Sequence, residues 1–354
     1  MSVPTLAGIT PKMVTTERIT TRVLFSGPKD GVPVLFLHGN LISATWWEET
    51  MLALPPGYRG IAPDLRGFGD ADLEKKVDAT RGTGDWVDDA VALLDHLGIA
   101  QAHLVGVSLG GLVIWRLMTD CPERLLSSTL VSPGSPFGFA GTKDVNGTPC
   151  YDDFAGSGGG LGNPEVIKRI AEGDRSLESP FSPRAALRAL VFKPPFVPER
   201  EEDLLSAMLT VHLGEQDYPG DSVPSPNWPY VAPGVWGSVN ALAPKHLGDI
   251  NRLYKAEPKL DLLWVRGSHD LAVCDSAAAC PGTLGAAGLI PNWPGSEVYP
   301  PQPMLGQIRA ALEKYAAAGG SYREVVIEDT AHVPFIEKPE EFNAVLHEYI
   351  QSGK

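Results

Sequence analysis

Cysteine is scarce. Cys121, Cys150, Cys274 and Cys280 are the four in 354 residues, too few to staple a chain of this length, and no CxxC pair offers half of a structural zinc site. Reduced thiols are therefore expected. Long apolar runs are missing as well: no window approaches the roughly 20 consecutive apolar residues that span a bilayer. The stretch from Met1 to Thr20 holds no apolar segment long enough for a signal-peptide core. A cytoplasmic protein with no membrane partner is the expectation. Positive charge is in short supply, with 29 Lys and Arg against 43 Asp and Glu, a formal net charge of -14. With no basic run to offset it, that balance argues against a nucleic-acid partner, because binding the phosphate backbone needs clustered cations.

The remaining composition, 43% hydrophobic and 20% charged, suits a globular chain with a large core. Short apolar runs read as strands buried on both faces: Pro33 to Leu37, His103 to Val107 and Ser128 to Val131. Between the first two, Trp86, Val87, Ala90, Val91, Leu94 and Leu97 recur at helical spacing. Asp85 is placed to cap the start of that helix and Gly98 to end it. Strand and helix in alternation imply parallel pairing with helices on the sheet faces, an α/β architecture.

From about Gly134 to Pro244 this rhythm stops and Gly, Pro and aromatic residues accumulate. The expected organisation is a core of residues 1–133 and 245–354 with residues 134–244 inserted as a cap. Helices are expected within the cap at Pro164 to Ala171 and Glu201 to Leu213. Gly156 to Gly160 reads as a flexible stretch that could hinge the cap. The core resumes with a strand at Leu260 to Val265, a helix at Gln307 to Ala318 and a strand at Glu324 to Ile327. A second, Pro-rich insertion, about Ala277 to Pro303, is expected to be ordered and to lie over the site.

Gly106-Val107-Ser108-Leu109-Gly110 lies between an expected buried strand and an expected helix at Leu112 to Thr119. That is the context in which a serine is exposed on a sharp strand-to-helix turn as a nucleophile. The helix N-terminus that follows aims backbone N–H groups, beginning with Leu109, at an oxyanion formed when Ser108 attacks a carbonyl. A serine needs a base, and the base needs a partner that fixes its tautomer. His332, in the loop after the last expected strand, is the candidate base. Asp270, in Gly267-Ser268-His269-Asp270 at the carboxyl end of a strand, is the favoured acid. Asp275 is its competitor, more readily explained as a cap of the turn Ser276-Ala277-Ala278. His269 is read as a surface loop residue. His38-Gly39-Asn40 ends an earlier strand, where the second oxyanion donor of such sites is placed. The Asn40 backbone N–H takes that role and His38 anchors the loop.

Leu37-His38-Gly39-Asn40, Asp64-Leu65-Arg66-Gly67-Phe68-Gly69, Gly106 to Gly111, Gly267 to Asp270 and Ala331-His332-Val333-Pro334 together resemble the α/β-hydrolase superfamily. The resemblance implies an eight-stranded, mostly parallel sheet with a cap inserted after the sixth strand. It also implies a serine hydrolase, with Ser108, Asp270 and His332 as triad and no cofactor or metal. The expected partner is a small hydrophobic molecule, an ester or lactone cleaved through an acyl-enzyme on Ser108. Carbon–carbon bond hydrolases, amidases and cofactor-free perhydrolases of this fold also keep the serine. So does a ligand-binding receptor that retains the triad. Dehalogenases and epoxide hydrolases of the superfamily carry Asp at the elbow, which Ser108 argues against. Most of the aromatic residues at 137, 139, 151, 154, 181, 192, 196, 228, 230 and 236 are expected to pack the cap against the core.

Overall fold

The computed structural model describes residues 3–352, so residues 1–2 and 353–354 of the expected core lie outside the described chain. Eight strands form one sheet: β1 Thr10–Thr15, β2 Thr20–Ser26, β3 Val32–Leu37, β4 Tyr58–Pro63, β5 Ala102–Val107, β6 Leu125–Val131, β7 Asp261–Gly267 and β8 Ser321–Ile327. Their order is β1-β2-β4-β3-β5-β6-β7-β8. β2 pairs antiparallel with β1 and β4, and all other pairs are parallel. This is the mostly parallel sheet that the sequence motifs implied.

The apolar runs are continuous because both faces of the sheet are covered. Side chains alternate across a strand, so Leu35, Leu37, Leu104 and Trp264 enter one core cluster while Val34, Phe36, Val105, Val107 and Val265 enter the other. Helices α1 Gly84–His96, α2 Leu109–Asp120 and α5 Met304–Ala317 bury their apolar faces in the first cluster, and α6 Pro339–Gln351 does so in the second. Among the described residues no helix is long and apolar enough to cross a membrane, and all four cysteines are free.

One capping expectation fails. Helix α1 starts at Gly84 with Thr83 before it, so Asp85 lies inside the first turn. There its carboxylate accepts from the Asp78 N–H at 3.0 Å and pairs with Arg18 at 3.2 Å and with Arg81. A first-turn carboxylate still gains from the helix dipole, and the two guanidinium partners explain why it is acidic. Gly98 does end the helix, at φ 69°, a left-handed position that glycine occupies without strain.

After β6 the chain leaves the sheet until β7. This excursion carries α3 Pro164–Ala171, capped by the Asn163 side chain on the Glu165 N–H, and α4 Glu201–Met208. Helix α4 stops short of the expected Leu213 because the following backbone is used elsewhere: His212 N–H donates to Gly67 O, Tyr218 N–H donates to His212 O, and Leu213 pairs with Tyr218 in a short ladder.

The glycine stretch is no flexible hinge. Gly156, Gly158 and Gly159 are buried, and a Cβ on Gly158 would lie 2.4 Å from Asn240 Oδ1, one on Gly159 2.4 Å from Asp221 O. The glycines are there for close approach, with Asn240 Oδ1 accepting from the Gly159 N–H at 2.7 Å. The Pro-rich segment 277–303 packs on the excursion between β6 and β7. Tyr299 donates to Gly156 O at 2.8 Å, Trp228 Nε1 donates to Pro291 O at 2.9 Å, and the Trp228 and Tyr299 rings meet edge to face.

Candidate active site

Parallel pairing brings the carboxyl ends of β3, β5, β6, β7 and β8 to one edge, where ligands collect in such sheets. Ser108 follows β5 at φ 55°, ψ -112°, a strained conformation for a residue with a side chain. Neighbours over-determine it: Ser108 N–H donates to Val131 O and Ser108 O accepts from the Gly134 and Leu112 N–H groups. The flanking glycines have steric cause. A Cβ on Gly106 would stand 2.5 Å from Gly110 O, and one on Gly110 would stand 2.2 Å from Leu37 O.

His332 Nδ1 lies 2.9 Å from Asp270 Oδ2 and 3.1 Å from Oδ1, with both residues buried. Asp270 Oδ1 also accepts from the Ala272 and Val273 N–H groups at 2.8 and 3.0 Å. Those donors hold the carboxylate in place. An acceptor at Nδ1 keeps the proton there and leaves the Nε2 lone pair of a neutral imidazole free to take another. Asp275 does something else. It is exposed, and its Oδ1 accepts from the Leu305 and Gly306 N–H groups at 2.8 and 3.3 Å, capping α5 rather than the turn at Ser276. An Asp270→Asn variant therefore places an amide against Nδ1 and is expected to cost about 10⁴ in kcat, as in serine proteases. Asp275→Asn, compared in the same esterase assay, is expected to act only on α5 and to stay near wild type.

His38 is fully buried and its pKa is lowered to about 4, chiefly by burial. It is therefore neutral, with Nε2 accepting from the Leu65 N–H at 2.9 Å and Nδ1 donating to Gly39 O at 2.8 Å. Both nitrogens are occupied in fixing the loop that presents Asn40. The Asn40 and Leu109 backbone N–H groups have no acceptor among the described residues, and both residues line a cavity of about 320 Å³ together with Ser108 and His332. Ser108 Oγ likewise makes no hydrogen bond within the described chain. Hydroxyl and imidazole in such pairs commonly tighten only around substrate.

The cavity wall is apolar, with Ile42, Leu112, Phe139, Leu187, Leu190, Leu242 and Met304 among its members, and no Lys, Arg, Asp or Glu lines it. Of the aromatic residues singled out in the excursion, Phe139 alone reaches it. Phe192 is buried against Trp46 and Trp228 against Tyr299, whereas Phe181 and Tyr230 are exposed. Three contributors were not read from the sequence. The π-helical turn Leu187–Val191 supplies wall residues, and its apolar spacing of Leu187, Leu190 and Val191 was a usable signal. Tyr218 lines the cavity from a two-residue strand that has no periodicity. Glu337 ties the histidine loop to the excursion. Its Oε1 accepts from the Ala331 N–H and its Oε2 from the Lys193 N–H, both at 2.7 Å, while His332 N–H donates to Val191 O at 3.1 Å.

A sequence profile described as "Alpha/beta hydrolase family" matches residues 34–345. The uncharacterized carboxylesterase nap of Bacillus subtilis (strain 168) is 35% identical over 117 residues, 33% of this chain and 38% of that protein. The 2-hydroxymuconate semialdehyde hydrolase of Pseudomonas sp. (strain CF600) is 41% identical over 98 residues, 27% of this chain and 34% of that protein. The matched stretch is thus well under half the length of either relative. A putative aryl esterase from Burkholderia cenocepacia superposes with a TM-score of 0.58 at 20% identity, covering 97% of this chain and 99% of that one, a likeness of fold.

Proposed function

This chain belongs to the alpha/beta hydrolase family, and from that premise we propose that it is a serine hydrolase that cleaves a small, uncharged carboxylic ester or lactone through an acyl-enzyme on Ser108. The observation that carries the reading is that His332, bonded to Asp270, lines the same apolar cavity as Ser108. In this mechanism Ser108 Oγ attacks the carbonyl carbon while His332 Nε2 takes the hydroxyl proton. The tetrahedral oxyanion accepts from the Asn40 and Leu109 N–H groups. Collapse breaks the bond to the alcohol oxygen, which leaves with the proton from His332. Water then repeats the sequence, with His332 as base, to free the acid and Ser108. In a lactone the departing alcohol stays tethered to the acid. Residues 134–244 act as the cap that roofs the cavity. With the reading go a cytoplasmic setting, a small-molecule partner and no cofactor.

A second reading is carbon–carbon bond hydrolysis, and one relative is named as a hydrolase of 2-hydroxymuconate semialdehyde, a carboxylate-bearing compound. The lining favours the ester, because no cationic side chain faces the cavity to hold a carboxylate and an unpaired charge is costly in apolar surroundings. A binding module that keeps the triad is the reading from outside catalysis. Stopped-flow mixing with p-nitrophenyl acetate and longer p-nitrophenyl alkanoates separates the ester hydrolase from the binding module. A burst of p-nitrophenol approaching one equivalent, followed by turnover that rises with acyl length until the cavity is filled, is expected. Binding with no p-nitrophenol release removes the enzymatic reading.

A further inference from the structure

Few polar side chains reach the cavity, and most of their capacity is already used. Ser108 and His332 belong to the reaction. Ser135 donates its hydroxyl to Gln307 Oε1 at 2.6 Å and accepts from the Phe137 N–H at 3.1 Å. Asn40 Oδ1 is buried without a partner among the described residues, but an amide oxygen beside the oxyanion donors can serve only a donor. Tyr218 is different. It is 8% exposed, lines the cavity beside Leu161, Val239 and Leu242, and its hydroxyl is hydrogen-bonded to nothing among the described residues. Burial lifts its pKa to about 12, so the phenol stays protonated and neutral through the working pH range. Its backbone is pinned by the bond from Tyr218 N–H to His212 O at 2.9 Å and by pairing with Leu213. That pairing fixes where the Cα–Cβ bond of Tyr218 starts, and the ring packs within the apolar core cluster.

A buried phenol normally finds a partner, because an unmade bond in apolar surroundings forfeits the hydration it had in water. An apolar pocket with one convergent donor is also the usual build of a selective small-molecule site. We propose that the Tyr218 hydroxyl donates a hydrogen bond to an uncharged oxygen of the substrate distant from the scissile carbonyl. The substrate class is then an apolar ester or lactone bearing a second acceptor, such as a ketone, an ether or an amide carbonyl, rather than a plain alkyl ester. This rests on the ester-hydrolase reading of the Ser108 site and narrows it.

Tyr218→Phe removes the hydroxyl and keeps the ring. The test uses matched pairs: p-nitrophenyl alkanoates against analogues with a ketone moved along the acyl chain, and alkyl acetates against ether-containing alkyl acetates, so that both arms of the substrate are sampled. In wild type, kcat/KM is expected to favour at least one oxygen-bearing member over its hydrocarbon partner by about tenfold, the scale of one hydrogen bond. In Tyr218→Phe that ratio is expected to collapse toward one. Each ratio is internal to one protein, so a general loss of folding cancels from it. Ratios that are the same in both proteins across every pair, or a wild type with no preference in any pair, overturn the proposal. Calorimetric binding of the same pairs to Ser108→Ala and to Ser108→Ala/Tyr218→Phe reads recognition without chemistry. Discrimination that depends on Tyr218 there, with no ester turnover in wild type, overturns the hydrolase reading and leaves the role of Tyr218 standing.

Discussion

Replacing Ser108 with alanine is expected to lower kcat on p-nitrophenyl esters by about 10⁶-fold, the scale on which a serine triad fails when its nucleophile is removed. The fold should survive the change. Only Oγ is lost, it bonds to nothing within the described chain, and the backbone that forces φ to 55° is held by bonds to Val131, Gly134 and Leu112 that do not involve the side chain. A melting temperature close to wild type, measured beside the kinetics, separates lost chemistry from lost structure. Turnover within tenfold of wild type removes Ser108 as nucleophile.

His332→Ala is expected to cost a similar factor, because an undeprotonated serine is a poor nucleophile and the leaving alcohol loses its proton donor. The two losses should not add. The double variant Ser108→Ala/His332→Ala is expected to be no worse than either single one, as for groups that act as a unit. Removing His332 leaves the Asp270 carboxylate accepting from the Ala272 and Val273 N–H groups, so the buried charge keeps partners and the stability cost is moderate. Steady-state rates of all three variants on one ester check this. A double variant slower than the singles by the product of their effects contradicts a coupled pair.

The parallel centre of the sheet was legible because burial on both faces writes a strand as an unbroken apolar run, and β5, Ala102–Val107, is buried throughout. Strand β1 was not, since five of its six residues are exposed at the sheet edge and follow no apolar alternation. Ser108, Asp270 and His332 could be placed as candidates because each lies just past a strand that the sequence marks. What lay beyond reach depends on contacts between distant segments. Gly156 to Gly160 looks flexible by composition, yet it is glycine-rich because Asn240, Pro233 and Asp221 press against it. Asp275 looks like a cap for the residues next to it but caps a helix 30 residues on. Tyr218 and Glu337 gain their roles only when the excursion folds back over the strand ends, and no local pattern encodes that return.

The most direct test of the account is covalent. Wild-type protein treated with a fluorophosphonate and examined by intact mass and peptide mapping should gain one adduct, on Ser108, and Ser108→Ala should gain none. An adduct on a different residue of the wild type, or labelling of Ser108→Ala at the wild-type rate, would contradict Ser108 as the nucleophile.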